Sequence, residues 1–106
     1  RMCVYVILQD KVSGDRFTFM NTHFGFGDNG QVKSVKLIEE YSKKVSSLPT
    51  IIVGDFNMTP DSLAYSEISR IFTDVNTATV NDLRTTYHGY KPARRNHRYA
   101  YRLLLC

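Results

Sequence analysis

The stretch Ile51-Ile52-Val53-Gly54-Asp55-Phe56-Asn57 constrains this chain more than any other: three β-branched residues in a row, then an abrupt change to Gly, Asp and Asn. β-Branched side chains fit a pleated, extended backbone, and a short apolar run closed by turn residues reads as a buried strand. Such a strand delivers a carboxylate and an amide at its tip. A second stretch, Phe17-Thr18-Phe19-Met20-Asn21-Thr22-His23, alternates as a strand does and ends in polar groups that include an imidazole. Asp55 and Asn57 alone are equally well explained by a turn after a strand, where both residue types bond their own backbone. Two strand tips carrying His, Asp and Asn together point to an enzyme rather than a scaffold.

The segments around these tips supply the rest of the architecture. Met2 to Gln9 is rich in Val, Ile and Tyr and predicts a strand buried on both faces. The polar run 10–15, with Gly14, predicts a turn that makes a hairpin with the strand from Phe17 to Asn21. Gly25, Gly27 and Gly30, with Asp28 and Asn29, predict a loop over 24–30 directly after His23; Asp28 there is a solvated turn residue. From Gln31 to about Ser46, Val32, Val35, Ile38, Tyr41 and Val45 recur at helical spacing, with Lys and Glu between them, so Tyr41 and the aliphatic stripe are assigned to the core. Thr59-Pro60 predicts a cap and a first helical turn, with Leu63, Ala64, Ile68 and Ile71 on one side through Phe72. The order strand, strand, helix, strand, helix predicts an α/β fold with one mixed sheet and covering helices.

Asp74 to Asp82 reads as a loop with one short strand, and Thr85-Thr86-Tyr87-His88-Gly89-Tyr90 as a compact aromatic turn. Beyond Pro92 the periodicity is lost, and Leu103-Leu104-Leu105 is too short to assign.

Charge decides between partners only when its location is known. The net charge of +4 would suit a polyanion, but residues 91–106 hold five of the fourteen basic residues and no acid, leaving nine bases against ten acids in residues 1–90. A basic groove built into the fold is therefore not expected; binding to nucleic acid would rest on the tail, and a disordered or aberrant tail is the simpler reading. With 106 residues the chain makes one domain at most. No apolar run approaches the roughly 18 residues of a membrane span, and the first residues lack the order of a secretory signal. A strand beginning almost at the first residue reads as an internal start. Cys3 and Cys106 have no metal-ligand spacing and form no disulfide framework, which fits a reducing cytoplasm.

A carboxylate can position or deprotonate water, or bind a hard cation. An imidazolium and an amide can donate to phosphoryl oxygens as charge develops. His23, Asp55 and Asn57 taken as one site thus suit phosphate-ester hydrolysis, although such chemistry usually needs a metal cage with more than one carboxylate.

Asn21-Thr22-His23, then Gly54-Asp55-Phe56-Asn57 with Pro60, Ser62 and Tyr65, then Thr86-Tyr87-His88-Gly89-Tyr90 resemble, in order and spacing, the motifs of the endonuclease/exonuclease/phosphatase superfamily, whose fold is that of deoxyribonuclease I. The resemblance covers residues 1–90 and corresponds to the C-terminal half of the family domain. It implies a partial deoxyribonuclease I-like sandwich. It also implies that His23 and Asn57 hold the scissile phosphate, that Asp55 orients the attacking water or contacts metal, and that Asn21 and His88 adjoin the substrate. Magnesium or manganese is implied for the complete domain, but no residue here is assigned as a metal ligand, because the family's principal metal-binding Asn and Glu lie in its N-terminal half. The family's closing Ser-Asp-His motif has no counterpart, and Gly25 stands where many members have Asp. The family also has an Ile-Asp-Tyr strand where this chain reads Tyr99-Ala100-Tyr101-Arg102-Leu103-Leu104. Codons for the last four can be chosen so that the next frame spells Ile-Asp-Tyr, which makes a frameshifted tail conceivable.

The resulting expectations are a divalent-metal-dependent phosphoesterase acting on a phosphodiester or phosphomonoester, or a truncated, incompetent fragment that at most binds phosphate. One sheet alone would leave its inner face uncovered, so a missing N-terminal half or a homodimer is the expected partner.

Overall fold

The computed structural model describes residues 2–45 and 47–78 and the backbone of residues 104–105. The aromatic turn with His88, and the tail from 91 to 103, lie outside the described residues. The sequence of elements is β1 (Met2–Gln9), β2 (Arg16–His23), α1 (Asp28–Lys44), β3 (Thr50–Asp55), α2 (Leu63–Ile68), β4 (Thr73–Asp74), α3 (Val75–Ala78) and β5 (Leu104–Leu105).

β1 and β2 form the expected antiparallel hairpin, in continuous register from Met2 opposite His23 to Gln9 opposite Arg16. Its turn is closed by Asp10, whose Oδ1 accepts from the backbone N–H of Val12 at 2.8 Å and of Ser13 at 2.7 Å. Those two donors, Ser13 first, hold the Asp10 carboxyl below the usual aspartate range. The chain then crosses through α1 to β3, which runs parallel to β2 with Thr18 opposite Thr50 and His23 opposite Asp55. β5 lies antiparallel between β3 and β4, giving the sheet order β1-β2-β3-β5-β4. The predicted α/β class with one mixed sheet is the observed one.

Both principal helices cover the same face. Met20 and Ile52 of the sheet, Val35 and Ile38 of α1, Ala64 and Ile68 of α2, and Phe24, Phe56, Met58 and Phe72 of the connections form one buried cluster. Phe24 and Phe56 meet edge to face, with ring centroids 5.2 Å apart. The register places Met2, Val4, Val6, Leu8, Phe17, Phe19, Asn21, His23, Ile51, Val53 and Asp55 on the opposite face.

Five sequence expectations need correction. The stretch from Asp74, read as a loop with one short strand, instead carries the helix α3 directly after β4. β1 is exposed along its whole length rather than buried on both faces, because it is the sheet's edge strand and an open groove separates it from α1. Tyr41 is likewise exposed, its ring 6.3 Å from that of Tyr5 and beneath the Lys44 ammonium, at the rim of a groove of about 290 Å³ between β1 and α1. The glycine loop is shorter than predicted, since α1 begins at Asp28. α2 begins at Leu63, not after Thr59-Pro60: Ser62 Oγ accepts from the Tyr65 N–H at 3.2 Å and caps the helix, while Ser62 N–H bonds the Thr59 carbonyl in the turn before it.

Candidate active site

Residues opposite one another on adjacent strands project from the same face of a sheet. β2 and β3 run parallel and end together, so His23 and Asp55, the last residues of each, stand abreast. His23 Nε2 lies 3.7 Å from Asp55 Oδ2, an ion-pair distance for a protonated imidazole and too long for a direct hydrogen bond. The imidazole is 57% exposed and the carboxylate 27%. Both are thus open to a ligand, with Asp55 the more enclosed.

Gly54 makes this alignment possible. Its φ is +139°, and a Cβ there would lie 1.8 Å from the Thr22 carbonyl oxygen. Only glycine lets the backbone of β3 come this close to β2 immediately before the carboxylate.

Past the strand tips the loops are tied together. Phe24 N–H bonds the Asp55 carbonyl at 2.8 Å, extending the ladder by one step. Asp55 Oδ1 accepts from the Asn57 N–H at 3.0 Å, which turns the chain and leaves Oδ2 on the His23 side. Asn57 takes φ +46°, in the left-handed region that Asn tolerates better than other side chains. Its Nδ2 donates one hydrogen to the Phe24 carbonyl at 3.0 Å.

The structure therefore brings together His23, Asp55 and Asn57. Asn21 lies two residues before His23 on the same face of β2 and is exposed. His88 falls outside the described residues. Asp28, read as a solvated turn residue, is exposed in the first turn of α1. Sequence reasoning passed over Gln31, which is 4% exposed and donates to the Gly25 carbonyl at 3.1 Å and to the Asn57 carbonyl at 2.6 Å. Its signal was present: Gln31, Val35, Ile38 and Ser42 share the buried side of α1, so a polar residue leads an apolar stripe.

The donor set does not make a magnesium or manganese cage. Such cations take about six oxygens, whereas the strand tips of β2 and β3 offer one carboxylate, that of Asp55, with Oδ1 already bonded to the Asn57 N–H. Among the described residues, no group of three or more His, Cys, Asp or Glu side chains is placed to hold a metal ion.

No protein-family model matches the chain, and no curated protein matches it in sequence. Solved structures do share its fold. An endonuclease/exonuclease/phosphatase family protein from Bacteroides thetaiotaomicron superposes with a TM-score of 0.84 at 23% identity, over 97% of this chain and 40% of the other. A mannosyl-6-phosphatase from the same organism gives 0.84 at 23%, over 97% and 42%. The beta toxin of Staphylococcus aureus, with bound magnesium ions, gives 0.63 at 13%, over 97% and 41%. The chain spans less than half the length of these structures. It has the α/β fold of these DNase I-like proteins over that part.

Proposed function

We propose, on the premise of this partial DNase I-like fold, that the chain carries the phosphate- and water-handling side of a phosphoester hydrolase of the endonuclease/exonuclease/phosphatase type. The observation that carries the reading is the pairing of His23 with Asp55 at two strand ends, with Asn57 locked into the adjoining turn.

In this reading Asp55 Oδ2 accepts a hydrogen bond from the attacking water and aligns it with phosphorus. The imidazolium of His23 and the remaining amide hydrogen of Asn57 donate to non-bridging phosphoryl oxygens, where negative charge grows as the new P–O bond forms. Asn21, on the same face, adjoins the ester group. These groups recognise the phosphoryl centre and not the alcohol attached to it, so both phosphomonoesters and phosphodiesters are substrates of the class. The mannosyl-6-phosphatase likeness favours a monoester. A divalent cation would supply charge neutralisation in the complete domain, by analogy with the magnesium bound in beta toxin; the residues described here do not by themselves hold it.

The single carboxylate favours a second reading of the isolated 106-residue chain, in which it binds phosphate with little turnover. Hydrolysis of a nitrophenyl phosphate ester with magnesium separates the two. Turnover lowered on the order of a hundredfold or more by His23→Ala and by Asp55→Ala supports the enzyme, as expected for loss of a proton-transfer or charge-stabilising group. No turnover by the folded chain supports the phosphate-binding fragment, and turnover unaffected by either substitution contradicts both assignments.

A further inference from the structure

Gln31 holds both loops of the proposed site at once. We propose that it is a positioning residue that keeps Asn57 in its phosphate-facing conformation, an inference that rests on reading Asn57 as a phosphate ligand. The two hydrogens of its buried amide go to carbonyls from two separate loops: that of Gly25, which follows His23, and that of Asn57, which follows Asp55. Gln31 therefore has no donor left for a ligand. Its action on substrate runs through Asn57.

The dependence of Asn57 on Gln31 follows from its backbone. A non-glycine residue at φ +46° is strained and persists only where the surroundings over-determine it. Two restraints act on Asn57 from outside its own turn: Phe24, whose carbonyl accepts from the side-chain amide, and Gln31, which donates to the main-chain carbonyl. That carbonyl belongs to a residue flanked in sequence by the buried Phe56 and Met58, and the buried Gln31 reaches it at 2.6 Å. Without the Gln31 donor it would be left unsatisfied, at a cost that rotation of the 57–58 peptide toward water relieves. Such a rotation changes ψ of Asn57 and permits φ to leave the left-handed region, which withdraws the amide from the Phe24 carbonyl and from the ligand side.

The experiment uses the 106-residue chain with Gln31→Met, which keeps length and apolar bulk but no donor, and Gln31→Arg, whose planar guanidinium restores paired donors. Three quantities are read by NMR: the side-chain NH2 resonances of Asn57 without ligand, the Kd for inorganic phosphate, and amide exchange in β2 and β3. The expected result is that Gln31→Met shifts the Asn57 side-chain resonances and weakens phosphate on the order of tenfold, about the value of one net hydrogen bond. Gln31→Arg reverses both effects, and strand exchange is the same in all three proteins. Asn57 resonances that stay in place in Gln31→Met, or that Gln31→Arg fails to restore, overturn the proposal, as does a loss that accompanies faster exchange throughout β2 and β3. If the unsubstituted chain shows no phosphate shifts, the reading of the site fails, while the ligand-free Asn57 resonances still decide whether Gln31 positions it.

Discussion

At the scale of single residues, the site depends on two backbone conformations that most side chains avoid, at Gly54 and at Asn57. Gly54 sits where a Cβ would fall 1.8 Å from a carbonyl oxygen of the neighbouring strand, with φ at +139°. Gly54→Ala therefore requires β2 and β3 to separate next to His23 and Asp55. The expected loss of stability is on the order of 3–5 kcal/mol, the range of severe single substitutions, read from the urea midpoint. A loss below about 1 kcal/mol would show that the strands do not need this approach. The same two positions explain why the motif was legible before the fold. Gly-Asp-Phe-Asn after a β-branched run has a backbone reason for its Gly and its Asp, and an αL reason for its Asn. Gln31 was passed over because its place at the head of the buried stripe of α1 shows only that it is enclosed; its bonds to carbonyls 6 and 26 residues away are set by the tertiary fold.

At the scale of elements, periodicity identified what local physics decides. The hairpin and the strand β3 stand where alternation placed them, and α1 follows its 3.6-residue spacing but begins three residues early, at Asp28. Boundaries moved where two capping residues compete: Thr59 and Ser62 both suit a helix start, and the Ser62 bond to Tyr65 decides it. β1 shows the limit of composition. An apolar β-branched run states that a strand wants burial, not that it obtains it, and here an edge strand of eight residues without charge, Pro or bulge is exposed. Such a strand is a template for association. Val6→Lys, on the open face opposite Phe19, is expected to lower binding of a hydrophobic dye and concentration-dependent association. Its effect on unfolding free energy should stay within about 1 kcal/mol, as for exposed positions generally. Unchanged association in the Lys variant would show that this face is not the sticky one.

At the scale of the whole molecule, one sheet carries helices on one face and, on the other, an apolar surface that ends in His23 and Asp55. The polar tips thus lie at the edge of that open apolar face, where the resemblance leads one to expect a second sheet. The fold class was legible because the order of strands and helices fixes layers. Which face stays open was legible only in the register, where Val4, Val6, Phe19 and Ile51 fall on the side of His23 and Asp55. No described helix is long and apolar enough to cross a membrane. The central claim is that the ends of β2 and β3 form a phosphate site, and an NMR titration of the chain with inorganic phosphate tests it most directly. Shifts concentrated at His23, Asp55 and Asn57, and abolished together by His23→Ala with Asn57→Ala, are the predicted result. Shifts that centre elsewhere on the chain, or that survive the double substitution, would contradict it.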